Sequence, residues 1–138
     1  MILLDTNVIS ELMRPAPDQN VVNWVSSYPK MSLFTSAIVE AEILYGVSII
    51  SKGKRKSELQ SAVLQIFNTD LKGRVLPFDS NAAQSYASIA SKRRAIGKPI
   101  SQFDAQIAAI AHSRGATVAT RNVDDFLECG IVVINPWT

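Results

Sequence analysis

Four clusters in this sequence carry side chains that could do chemistry together: Asp5 with Thr6 and Asn7; Glu40 and Glu42; Asp104; and Thr120-Arg121-Asn122 followed by Asp124 and Asp125. Carboxylates forced close together repel, and each has a raised pKa unless a cation sits among them. Ligands made only of oxygen suit Mg²⁺ or Mn²⁺, ions that in phosphodiester cleavage orient a water, lower its pKa and neutralise phosphate charge. Cys129 is the only cysteine and His112 the only histidine, so a thiolate or histidine-rich zinc site is excluded and no intrachain disulfide can form. His112 reads as an ordinary helix residue and Cys129 as a packed thiol.

Acids scatter through every protein, so the elements that hold these ones decide the matter. Short apolar runs at Ile2 to Leu4, Leu33 to Thr35, Val75 to Phe78, Thr117 to Ala119 and Ile131 to Ile134 predict five strands. Between them, helical spacing predicts helices over Thr6 to Met13, Asn20 to Ser27, Ser36 to Ser51, Arg55 to Thr69, Ser80 to Ile96 and Gln102 to Arg114, with a short turn from Val123 to Leu127. Alternation of this kind predicts an α/β fold with a mainly parallel sheet and crossover helices. Pro15 and Pro17 stop the first helix, Asp79-Ser80 caps the fifth, and Gly97 with Pro99 interrupts before Ser101.

In an open parallel sheet, ligands gather at the carboxyl ends of the strands. Asp5 directly follows the first strand, where it could equally cap the helix behind it. Asp104 shares the spacing i, i+3, i+4, i+7 with Ile107, Ala108 and Ala111, which turns its carboxylate inward; it also fits a capping box with Ser101. The alanines of this helix permit close approach to the sheet. Glu40 and Glu42, two residues apart on one helix, point about 200° away from each other and cannot serve the same site. Glu42 shares a side with Ile38, Tyr45 and Ile49, where a buried carboxylate needs a partner. Thr120, Arg121 and Asn122 occupy the carboxyl end of the fourth strand, and Asp124 and Asp125 also fit as first-turn acids of the short helical turn.

A chain of 138 residues suffices for a single domain over 1–138 with a full core. Its net charge of +2 is far from that of proteins that coat nucleic acid, so any polynucleotide contact is local. The basic turn Lys52 to Lys56 and the run Lys92-Arg93-Arg94 are candidates for that contact, and both also fit as solvated surface. No signal peptide or membrane-length apolar window is present, which predicts a cytoplasmic protein that engages no membrane.

Taken in order, Ile2-Leu3-Leu4-Asp5-Thr6-Asn7, Ser36 to Glu42 with Gly46 following, Phe103 to Ala109, Thr120-Arg121-Asn122 with Asp125-Phe126, and the closing Asn135-Pro136-Trp137 resemble PIN domains of the VapC and FitB type. The likeness extends over essentially the whole chain. It implies a three-layer α/β/α fold with about five strands and a Mg²⁺- or Mn²⁺-dependent endoribonuclease serving as toxin in a type II toxin–antitoxin pair. It also implies a cognate antitoxin, a homodimer, and DNA reached only through the antitoxin.

Carried over by position, Asp5 and Asp104 look like the principal metal ligands and Glu42 like the second acid. The fourth acidic position falls on Asn122, an amide without charge. Either Asp125 compensates or three carboxylates suffice. Thr6, Asn7, Thr120, Arg121 and Asp125 are left to position substrate or water, with Arg121 facing phosphate charge. Asn122 also keeps open a catalytically degenerate domain that only binds its antitoxin or operator complex. A dehalogenase-like phosphoryl-transfer enzyme would need a second Asp where Asn7 stands, and a receiver domain would need an Asp after a middle strand.

Overall fold

Short, largely apolar runs are separated by helical segments long enough to cross back over the sheet, and every strand pairing is parallel. A computed structural model describes residues Met1–Thr138. Its strands are β1 (Ile2–Leu4), β2 (Leu33–Ser36), β3 (Val75–Leu76), β4 (Thr117–Ala119) and β5 (Val133–Ile134). The helices are α1 (Thr6–Leu12), α2 (Gln19–Ser26), α3 (Ala37–Ser48), α4 (Lys54–Gln65), α5 (Ser80–Ala95) and α6 (Gln102–Arg114). They flank the sheet as a three-layer α/β/α arrangement.

The strand order is β3-β2-β1-β4-β5. The chain therefore winds outward from β1 in one direction and resumes on its other side, which opens a crevice at the carboxyl ends of β1 and β4. Ile2, Leu3 and Leu4 lie in register with Thr117, Val118 and Ala119, so Asp5 and Thr120 are the next residues on adjacent strands. The Asp5 N–H carries the ladder one step further, donating to the Ala119 carbonyl at 3.0 Å.

The core runs from β1 and β4 into α6, where Ala105 and the unbroken stretch from Ile107 to Ala111 are buried. Small side chains let α6 pack against α5, α3 and β4 at once. Ile107, Ala108 and Ala111 are fully buried, as the inward stripe predicted. Gly115 stops the helix in a left-handed conformation at φ 65°.

The sequence reading erred mostly at element ends. Ser36 belongs to β2 and caps α3, its hydroxyl accepting from the Val39 N–H at 3.1 Å. α3 then stops at Ser48, short of the expected Ser51, and β3 and β5 are two residues each where four were expected. Pro77 explains β3, since it has no N–H to extend the ladder. The helix expected from Arg55 to Thr69 breaks at Gln65 into a π-helical turn, Ile66–Asp70. Arg74 accounts for the break: its buried guanidinium donates to the carbonyls of Asp70, Lys30 and Leu33, tying that turn to an unanticipated 3-10 turn, Lys30–Ser32.

Arg93 departs from expectation more sharply. It is buried and unavailable to nucleic acid, because it reaches inward from α5 to the loop that follows β4. Its Nε donates to the Lys98 carbonyl at 2.6 Å, and its Nη1 to the carbonyls of Asp125 at 3.0 Å and Leu127 at 2.9 Å. A guanidinium satisfies several orphan carbonyls at once, which an irregular buried loop requires. Lys92 and Arg94 beside it are exposed.

Candidate active site

Asp5 is buried where β1 turns into α1. It caps the helix, Oδ1 accepting from the Thr6 N–H at 2.8 Å, while Oδ2 accepts from the Thr120 hydroxyl at 2.7 Å. The capping and chemical readings of this residue therefore coexist. Burial pushes its pKa up to about 6 against the pull of Thr120 and Thr6, and the charges of Asp104 and Glu42 add to the rise.

Thr120 is the hub of this arrangement. Fully buried, its hydroxyl donates to Asp5 and accepts from the Asn7 side-chain amide at 3.1 Å and the Asn122 N–H at 3.1 Å. Asn7 Oδ1 in turn accepts from the Arg121 N–H at 3.3 Å, so the first and fourth strand ends are laced together.

Glu42 enters from α3 and accepts from the Thr6 hydroxyl at 3.0 Å, the partner that a half-buried carboxylate needs. Burial raises its pKa, Thr6 lowers it, and Asp104 raises it again. Tyr45 and Ile49, expected as its apolar surroundings, are instead exposed. Asp104 stands in the first turn of α6, whose N-cap is Ser101 accepting from the Asp104 N–H at 3.2 Å. Its pKa is raised by burial and by the nearby charge of Asp125, and lowered by Ser101 and Arg93.

One cleft of about 1000 Å³ gathers Asp5, Thr6, Asn7, Glu42, Asp104, Arg121 and Asn122. Thr120 lies beneath its floor, and Glu40 is absent from the lining. Asp125 lies in a smaller adjoining cleft with Arg121, Asn122 and Asp124, near enough for its charge to act on Asp104. The wall also includes Glu11, Arg14, Arg55, Glu58 and Trp137. Of these, the sequence reading pointed to Arg55 through the basic turn and to Trp137 through the closing motif; Glu11, Arg14 and Glu58 gave no signal. Glu11 is buried and spans a turn, accepting from the Asp18 N–H at 2.9 Å and from Arg14. Five carboxylates against three guanidinium groups leave the cleft acidic, a setting that favours a cation.

Comparison with known proteins decides the family. The PIN domain matches residues 2–130. The chain is a PIN-domain protein. Toxin FitB of Neisseria gonorrhoeae is 43% identical to this PIN domain, with 99% of each chain covered. The VapC ribonuclease Y4jK of Sinorhizobium fredii is 42% identical, covering 99% of this chain and 98% of its own. A solved structure of FitAB bound to an IR36 DNA fragment superposes with a TM-score of 0.93 at 43% identity, covering all of this PIN domain and 96% of the matched chain.

Proposed function

We propose that this PIN domain, spanning 1–138, is a Mg²⁺-dependent endoribonuclease, with Mn²⁺ as a substitute, and the toxin of a type II toxin–antitoxin pair. The observation that carries the reading is the buried Asp5 carboxylate, pushed up to about 6 in a cleft it shares with Glu42 and Asp104. Acids destabilised in this way are relieved by a cation. Asp5, Glu42 and Asp104 would hold it. The donors are all oxygen, which suits Mg²⁺ or Mn²⁺, and such an ion keeps several waters beside its carboxylates. When bound, the ion supplies Lewis acidity and neutralises phosphate charge.

The chain's own groups do the positioning. Thr120 fixes the Asp5 carboxylate and Thr6 fixes Glu42. Asn7 holds the backbone at Arg121, and Arg121 and Asn122 face the cleft where RNA phosphate would lie. Asp125 supplies part of the charge that Asn122 lacks. The toxin and ribonuclease names of its relatives, and the FitAB assembly on DNA, support RNA as substrate and a partner with which the toxin assembles on DNA. A homodimer, and contact with DNA only through the antitoxin, complete the proposal. The site of action we propose is the cytoplasm, where RNA is met; no helix is long and apolar enough to cross a membrane.

Incubation of purified protein with RNA, with Mg²⁺ or with EDTA, tests the reading. Cleavage that requires Mg²⁺ and fails in Asp104→Asn is expected; undiminished cleavage by that variant would discard the ligand assignment. Asn122 favours a second reading, a non-catalytic binding module. Wild-type protein that binds its antitoxin yet cuts no RNA with any divalent metal would establish it.

A further inference from the structure

The cleft wall carries Arg121 and Trp137 as a stacked pair, whose shared surface the phosphate contact of Arg121 alone does not account for. The Arg121 guanidinium lies over the Trp137 ring, 5.1 Å from its centroid. Although acids crowd the cleft, Arg121 forms no salt bridge, and its side chain donates no hydrogen bond within the protein. Its donors and its outer face are left for a ligand. Trp137 is held by its backbone: its N–H donates to Asn135 Oδ1 at 2.9 Å and its carbonyl accepts from the Asn20 side-chain amide at 3.0 Å. The half-buried indole is therefore a fixed surface at the cleft wall.

We propose that Arg121 and Trp137 form a stacking platform for one unpaired base of the RNA, next to the phosphate held at the acid cluster; this rests on the ribonuclease reading above. Aromatic rings and guanidinium planes take the faces of splayed-out bases, which a duplex keeps covered. Arg121 adjoins Thr120, the hydroxyl that fixes Asp5, so a base seated on it would place the neighbouring phosphodiester at the carboxylates. The platform selects single-stranded segments and tolerates base identity, because every base has a π-face.

Equilibrium binding of a labelled short oligouridylate in EDTA, where cleavage is blocked, tests the platform. In wild-type protein, a single abasic unit walked along the oligonucleotide is expected to weaken binding about tenfold at one position and little elsewhere. Trp137→Ala should weaken the intact oligonucleotide by a similar factor and erase the effect of that abasic position, while Trp137→Phe retains most of the affinity. An abasic walk that is flat in wild-type protein overturns the proposal and leaves the pair to a protein partner. An abasic effect undiminished in Trp137→Ala overturns it as well. If Trp137→Ala does not fold, the walk on wild-type protein and on Arg121→Ala decides alone. Cleavage of RNA by wild-type protein with Mg²⁺, run in parallel, separates the two failures: a flat walk with active enzyme sinks only the platform, whereas absence of both binding and cleavage sinks the ribonuclease reading itself.

Discussion

The Thr120 hydroxyl donates to the Asp5 carboxylate at 2.7 Å across 115 residues of sequence, and the two side chains close the carboxyl ends of adjacent strands. Because the same oxygen accepts from Asn7 and from the Asn122 backbone, one buried group sets the geometry of three candidate site residues. Thr120→Val keeps the shape and removes all three bonds. It should lower stability by about 1–3 kcal/mol, measured by urea unfolding, and shift the acid limb of the pH–rate profile upward as Asp5 loses its donor. Thr120→Ser should largely restore both.

Stability without divalent metal should fall as pH rises. The Asp5 carboxyl, ordinarily at 3.8, titrates at about 6 when folded, so the folded chain binds more protons than the unfolded one between those values. The contribution is fully present below 3.8 and lost as pH rises through about 6, a difference of roughly 3 kcal/mol. Urea unfolding in EDTA at pH 4 and pH 7 measures it. Asp5→Asn, which can still cap α1, should flatten the slope and be the more stable protein at pH 7.

Divalent metal should reverse that penalty. Mg²⁺ is expected to raise the melting temperature of wild-type protein at pH 7 and to do so much less in Asp5→Asn or Asp104→Asn. In the cleavage assay Asp104→Asn should lose about 100-fold or more. A melting temperature indifferent to Mg²⁺, Mn²⁺ and EDTA alike would count against the three-acid assignment.

Arg93 should be worth more to the site than its distance from the chemistry suggests. Arg93→Met strands the carbonyls of Lys98, Asp125 and Leu127, and should cost about 3 kcal/mol in urea unfolding. Amide hydrogen exchange should show the loosening concentrated over residues 122–129. Arg93→Lys, lacking the planar fork, should recover only part of the loss.

Asn122→Asp adds a carboxylate beside an already strained set. Calorimetric titration should show tighter Mg²⁺ binding than in wild type, while metal-free stability at pH 7 decreases.

The layered fold was legible because strand and helix periods alternate. The spacing of Asp104 to Ile107, Ala108 and Ala111 put it on a packed side of its helix, although α6 is buried at Ala109 and Ile110 as well and Asp104 itself is only half-buried. Asp5 was legible through its place at the end of an apolar run. Periodicity favoured Glu42 over Glu40 only slightly, because the choice depends on a hydroxyl of α1 that meets α3 only in the folded chain. The same limit hid Arg93 and Arg74: a basic residue in an exposed-looking run reads as surface until the carbonyls it must satisfy are known. Thr120 could be placed at the rim, but its triple bonding is a property of two strand ends meeting.

The strand order also bears on when the cleft comes into being during translation. β1 lies at the centre of the sheet, yet one of its two neighbours, β4, lies near the far end of the chain. A ribosome-borne intermediate ending before Thr117 has the Asp5 carboxylate but neither the strand that flanks it nor the hydroxyl that aims it. Assembly of the acid cleft is thereby deferred until synthesis of the molecule is nearly finished.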